Sequence, residues 1–409
     1  MHIVLVSREY LPTLRGGGIA SYLKEVAGAY INMGYQVTVI CSSDDTRLSS
    51  DSYINGIRVI RLPGGDFIVP QIETTTIIKL FRSFYRFHTY RKKIRRVILE
   101  LKDVDIIEVA EFGAESHYLH DLKIPVVMRL HTPTYTDRLT AGKIKFPIHK
   151  FMLRYLADKE EENVQKAQYI TSCSESLKKW THEYFNIDND KITTVYNPIQ
   201  ISDWIQEPTS FIKSRRIDIL FVGTVAAAKG IQDLIDACSI ARVENPELTL
   251  SIVGKLGEYA LGLKERCKNK KWCTFLGNQP REELKKLYRN CDMACFPSWW
   301  EAMGLVCTEA MASGCIVIGS NAGGMSEIIN DGKDGFLVPP HDPKRLAQII
   351  TQIIHLDENR KVEISQKAKE TVIERFSNDV IIKQMLEFYQ FAIKDFKTKY
   401  AETTLDNFI

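Results

Sequence analysis

Residues 296–327, FPSWWEAMGLVCTEAMASGCIVIGSNAGGMSE, carry the pattern from which the fold is read. The stretch begins at the end of an apolar run, 293–296, broken by Pro297-Ser298, which predicts a strand feeding a loop. Two acids follow, Glu301 and Glu309. Between them Gly304-Leu305-Val306 opens a predicted helix, and Gly314 ends it, glycine being favoured just past a helix C-terminus. A second apolar strand, 315–319, leads to a loop with Gly323-Gly324 and then another helix. The unit is strand–loop–helix–strand–loop–helix with its polar residues after the strands. In an open parallel sheet, ligands bind there.

The same alternation extends outward in both directions. In the first half, residues 2–7 are a β-branched run, and the loop after it ends in Gly16-Gly17-Gly18. Ile19, Tyr22, Leu23, Val26 and Tyr30 then fall at helical spacing, and Gly34 stops that helix. Further strands are expected near 35–41, 56–62, 104–109, 125–130, 168–172 and 192–195. Asn197-Pro198 closes this block, and a polar connection runs to about residue 216. Strands at 217–223, 248–254, 272–277, 293–296 and 335–340, with a helix at 281–290, make a second block that ends in a charged helical tail. This βαβ rhythm predicts an α/β protein with parallel sheets covered by helices. A chain of 409 residues suits two such domains with a cleft between them.

Hydrophobic content of 44%, charge of 26% and a net charge of +3 describe a globular protein with no electrostatic case for nucleic acid. No apolar run approaches the ~20 residues that span a bilayer. The start, MHIVLVSREY, lacks the layout of a signal peptide, and nine scattered cysteines suggest reduced thiols in the cytoplasm. Cys267, Cys273, Cys291 and Cys295 have irregular spacing for zinc. The triplets Asp103-Val104-Asp105 and Asp188-Asn189-Asp190 precede strands rather than follow them, so they are expected to be turn residues and no metal site is expected. From Lys79 to Lys102, seven further bases (Arg82, Arg86, Arg91, Lys92, Lys93, Arg95, Arg96) interleave with Phe81, Phe84, Tyr85, Phe87 and Tyr90, and within the segment only Glu100 opposes them. That composition fits a solvated helix with one packed face, or a helix lying on an anionic membrane surface.

Several residues stand where ligands bind. His131 closes the strand 125–130, with Glu108 and Glu111 at the equivalent place one strand earlier as candidates to hold an acceptor. The triple glycine is not a dinucleotide fingerprint, because Ser21 sits where the third glycine belongs. Bare backbone at Gly17 and Gly18 instead offers N–H groups to a phosphate or sugar, or is simply a surface loop. Lys229, in the loop 223–230, is placed to neutralise a phosphate at a helix N-terminus, although a plain surface charge explains it as well.

The pattern F-P-S-x-x-E-x-x-G-L-V-x-x-E-A-M-A-x-G, then G-G-x-x-E-I-I and G-x-x-G-F-L-V-P-P, resembles the family 4 glycosyltransferases of the GT-B fold. The glycine-rich first loop, His131, Tyr196-Asn197-Pro198, F-V-G-T-x-x-x-x-K-G, F-L-G and E-E-L-x-x-L-Y extend the likeness over the whole chain. The resemblance implies two Rossmann-like domains. An acceptor-side domain would span 1–198 with a returning C-terminal helix at 379–409, and a donor-binding domain 199–378. It also implies a retaining, metal-independent hexosyltransferase without a cofactor, taking a nucleotide sugar donor and a glycan or lipid-linked acceptor. The expected location is the cytoplasm, peripheral on the inner membrane face. By the same resemblance Glu301 holds donor-sugar hydroxyls, and Glu309 holds the ribose. The amides of Gly304, Leu305 and Val306 receive sugar and diphosphate, His131 touches the transferred sugar, Gly18 approaches the diphosphate, and Lys229 stabilises the leaving group. Where the family often has arginine, this chain has Thr224, with Arg15 and Lys255 as substitute cations, and Met303 also departs from the usual pattern. The competing readings are a nucleotide-sugar epimerase and a non-catalytic sugar-nucleotide-binding subunit.

Overall fold

The computed structural model describes residues 1–13, 16–45, 47–65, 77–134, 147–205 and 217–406. It divides into two compact units, Met1–Pro198 with Ile381–Ile409, and Ile199–Val380.

The first unit holds β1 (His2–Val6), β2 (Gln36–Ser42), β3 (Ser50–Ile54), β4 (Ile57–Leu62), β5 (Ile106–Ala110), β6 (Val126–Leu130), β7 (Tyr169–Ser172) and β8 (Ile192–Thr194), in the order β3-β4-β2-β1-β5-β6-β7-β8. β1 and β5 are buried along their whole length, as expected for parallel strands covered on both faces. Only β3 runs antiparallel, joined to β4 by Asn55-Gly56, both at positive φ, as a type I′ hairpin requires. β3 is largely exposed and so carries no apolar run, and the Asn-Gly pair was its one sequence signal.

The C-terminal helix Asn378–Asp406 returns to this unit. Its Tyr389 hydroxyl donates to Glu108 Oε2 at 2.6 Å, and Tyr22 donates to Glu108 Oε1 at 2.9 Å. Glu108 is the third residue of β5 and fully buried, and burial pushes its carboxyl above the usual range against the pull of Arg129. It is therefore an internal brace between helix and sheet, and the expectation that it holds an acceptor is corrected.

The helix Ile77–Glu100 has the packed face expected of the first reading of its basic run. Phe87, Tyr90, Ile94 and Ile98 are buried, so the apolar face is already used. Arg91 is buried with them, donating to the carbonyls of Phe87, Gly113 and Ala114. Arg95 pairs with Asp121 and Arg96 with Glu100. Among the described residues no helix is long and apolar enough to cross a membrane.

The second unit is a fully parallel sheet of β9 (Ile217–Val222), β10 (Leu248–Val253), β11 (Cys273–Gly277), β12 (Met293–Phe296), β13 (Ile316–Ser320) and β14 (Phe336–Val338). The order is β11-β10-β9-β12-β13-β14. The chain winds outward from β9 through β10 to β11, then returns to β12 on the other side of β9. The winding reverses between β9 and β12. Ligands of doubly wound sheets bind at such a reversal.

Candidate active site

Lys229 and Glu301 meet at that reversal. Lys229 ends the loop after β9, Glu301 lies in the loop after β12, and Lys229 Nζ forms an ion pair with Glu301 Oε2. Their side chains are 29% and 19% exposed, so the pair is partly shielded and still open to solvent. Ser298 Oγ donates to the same carboxylate oxygen at 3.5 Å.

Glycines let the loops pack this closely. Gly230 has φ +66, and a Cβ there would lie 2.8 Å from the Pro297 carbonyl carbon and nearer still to its oxygen. The Trp299 amide donates to the Ala228 carbonyl at 2.8 Å, tying the two loops together. From the far side the Gly324 amide donates to the Glu301 carbonyl at 2.8 Å, and a Cβ on Gly323 would fall 2.9 Å from the Glu301 amide nitrogen. The backbone of Glu301 is thus clamped on two sides. Gly323-Gly324 stands out in the sequence as a loop, but nothing there assigns the pair this role.

Gly304, in the left-handed region at φ +91, turns the chain into the helix Leu305–Ala312. The first-turn N–H groups of a helix lack intrahelical acceptors and carry the positive end of its dipole, so the Leu305 and Val306 amides suit an anion. Gly314 follows the helix at φ +84, as a C-terminal stop. Glu309 is the fifth residue of this helix and no acid stands in its first turn, so the dipole does not explain it. Thr224 is exposed just beyond β9, and Lys255 is exposed just beyond the neighbouring β10. Arg15 lies outside the described residues.

In the first unit, His131 is buried just after β6 with its ring edge-on to Tyr22, centroids 4.8 Å apart. Tyr22 belongs to the helix Gly18–Asn32, capped at its start by Gly17, so His131 and the glycine-led helix are neighbours. Burial, reinforced by Arg129, pushes the imidazole well below its ordinary pKa and keeps it neutral. The loop it opens is held from beneath. Glu111 accepts the amides of His131 at 2.9 Å and Thr132 at 2.6 Å, and Glu160 accepts the amides of Gly113 and Thr134 at 2.7 Å. Glu111 is therefore a buried anchor for the His131 backbone, which corrects its expected role as an acceptor holder. Nothing in the sequence singles out Glu160.

Burial raises both carboxyls, Glu111 to about 7 and Glu160 to about 8. The folded state then keeps protons that the unfolded chain has already released, so stability falls as pH rises toward 8. The buried neutral His131 acts oppositely, but only below its unfolded pKa of about 6.5. Between about pH 6.5 and 8.5 only the carboxyl effect remains. The urea unfolding of this unit should weaken across that window by on the order of 1–3 kcal/mol. A midpoint that is flat or rising there would contradict the assignment.

Two doubly wound units with largely parallel sheets, one with charged loops over its winding reversal, define the GT-B class of glycosyltransferase. A sequence profile described as "Glycosyltransferase Family 4" matches residues 16–203, and one described as "Glycosyl transferases group 1" matches residues 202–371. An uncharacterized glycosyltransferase of Methanocaldococcus jannaschii is 29% identical, over 96% of this chain and 99% of that protein. Among solved structures, sucrose-phosphate synthase from Thermosynechococcus elongatus superposes with a TM-score of 0.78 at 20% identity, covering 96% of this chain and 99% of that one. The Anabaena HepE protein in complex with UDP-glucose gives 0.71 at 20% identity, covering 95% and 98%. The chain belongs to the family 4 glycosyltransferases and is an enzyme of that type.

Proposed function

We propose that this enzyme moves a hexose-type sugar, with retention at the anomeric carbon and without a bound metal, from a nucleoside-diphosphate donor to an acceptor hydroxyl in glycan, glycolipid or polysaccharide synthesis. The Lys229–Glu301 pair over the β9/β12 reversal is the observation that carries this reading. Within the pair each charge neutralises the other. On binding, the donor diphosphate takes Lys229 and the amides of Leu305 and Val306, while the sugar hydroxyls donate to Glu301, which when ionised only accepts. Charge that builds on the departing diphosphate then meets preorganised positive groups, lowering the barrier. Thr224 contributes a hydroxyl, the exposed Lys255 the second cation, and Glu309 holds the ribose. For His131, Gly17 and Gly18 the roles rest on the family resemblance alone.

The test is incubation with the common nucleotide sugars while following nucleoside diphosphate release, and NMR of the anomeric product. Release with retained configuration is expected. An inverted product overturns the stereochemistry, an epimer formed from donor alone selects the epimerase, and neither turnover nor thermal shift with any donor overturns the reading.

A lipid-linked acceptor would bring the enzyme to an anionic membrane. The contact would rest on the N-terminal turns of the helix Ile77–Glu100, where Phe81 and Tyr85 are 69% and 70% exposed beside Arg82 and Arg86, since the rest of the apolar face is packed. Co-sedimentation with anionic vesicles at low salt should therefore drop at least about fivefold in Phe81→Ser/Tyr85→Ser. Equal binding by wild type and variant would remove this surface from the proposal.

A further inference from the structure

The loop that carries Glu301 is gripped on its outer side by a cluster that no role above uses. Trp299, two residues before Glu301, donates from Nε1 to Asp233 Oδ2 at 3.0 Å. Asp233 lies in the first turn of the helix Ile231–Ala241, which starts just after Lys229-Gly230. The His341 ring leans on the Trp299 indole with centroids 4.4 Å apart and planes tilted by 38°, and its Nδ1 lies 4.0 Å from the same Asp233 oxygen. Three separate segments, from the ends of β9, β12 and β14, thus converge on one side chain beside the donor-holding carboxylate.

His341 sits at φ +60, in the left-handed region. The other described non-glycine residues at positive φ are Asn55, Asp103, Ala114 and Asn186, and asparagine, aspartate and histidine are the types most often found there. An unfavourable backbone conformation persists where its surroundings over-determine it, and such places cluster at working sites. Its side chain is 61% exposed, so core packing does not account for the conformation.

We propose that His341 is a positioning residue: with Asp233 it fixes Trp299, and through Trp299 it holds the loop that presents Glu301 to the donor sugar. The proposal rests on the donor reading of Glu301, yet its first consequence is independent of any ligand. A loop braced on one side by Gly323-Gly324 and on the other by Trp299 stays closed. Removing the outer brace loosens it while leaving the sheet intact.

In the His341→Gly variant of the full chain, backbone amides of residues 298–304 should exchange with deuterium about five to ten times faster than in wild type. The rest of the second unit should be unchanged and the melting temperature equal or higher, because glycine is at ease at this φ. His341→Asn, which tolerates the backbone but lacks the aromatic ring, should behave as His341→Gly, whereas His341→Phe should restore slow exchange. Unchanged exchange at 298–304 in His341→Gly overturns the proposal whether or not a donor is bound. Calorimetry with UDP, GDP and ADP beside UDP-glucose, GDP-mannose and ADP-glucose supplies the second readout. For the pair that wild type binds, His341→Gly should lose about tenfold in affinity for the nucleotide sugar and under about twofold for the diphosphate alone. An equal loss for both would make His341 a nucleotide contact and overturn the positioning role. If wild type binds none of the six, the donor reading fails, and the exchange result still decides the brace.

Discussion

Replacing Lys229 by alanine should lower sugar transfer by about 10²–10³-fold in kcat, the scale seen when one preorganised charge-stabilising group is removed. The melting temperature should change little, because a partly exposed ion pair contributes ~0–1 kcal/mol to stability. Glu301→Ala should lose activity on a similar scale by a different route. It removes the acceptor for sugar hydroxyls, so affinity for the intact nucleotide sugar falls while affinity for the nucleoside diphosphate holds or rises, Lys229 being released from its partner. Lys229→Ala should weaken both ligands. The two variants therefore separate the diphosphate end of the site from the sugar end by calorimetry alone. Near wild-type turnover in both would remove Lys229 and Glu301 from the chemistry and leave the pair as a surface salt bridge.

Most of the sheet was legible in the sequence because a strand buried on both faces is a continuous apolar run. β12 and the helix Arg281–Asn290 match their expected limits, and Leu305–Ala312 falls between the glycines read as its start and stop. Exposed β3 escaped for the converse reason. The pairing of Lys229 with Glu301 was not legible, since the two are far apart in sequence and come together only because β9 and β12 are neighbours. Glu108 and Glu111 show a second limit. Both stand near a strand end in the sequence and invite one role, but the side-chain environment separates them, one in mid-strand under Tyr22 and Tyr389, the other capping the His131 amide. The basic helix shows a third. Arg91 counts as a surface base in the sequence and is a buried donor to three carbonyls in the fold.

Gly230→Ala should damage both the stability of the second unit and its activity, and the reason can be isolated. Two terms oppose the new Cβ. The left-handed φ of +66 costs an alanine about 1–2 kcal/mol. In addition the Cβ would overlap the Pro297 carbonyl, which is backbone of the neighbouring loop and cannot swing aside as a long side chain can. Either the loop after β9 or the loop after β12 must shift, and both carry a member of the Lys229–Glu301 pair. Gly277 supplies the control, with nearly the same φ of +69 and nothing within 4 Å of the point where a Cβ would stand, so Gly277→Ala bears the torsional term alone. The expected result is a loss of about 1–2 kcal/mol with activity retained for Gly277→Ala. For Gly230→Ala the expected loss is about 3 kcal/mol or more, with turnover down at least about 10²-fold even in the fraction that stays folded. Urea denaturation and donor turnover on the two variants side by side measure the difference. Equal losses would mean that the loops after β9 and β12 yield freely. The ion pair they carry would then owe its geometry to the side chains alone, and the site could not be called preorganised.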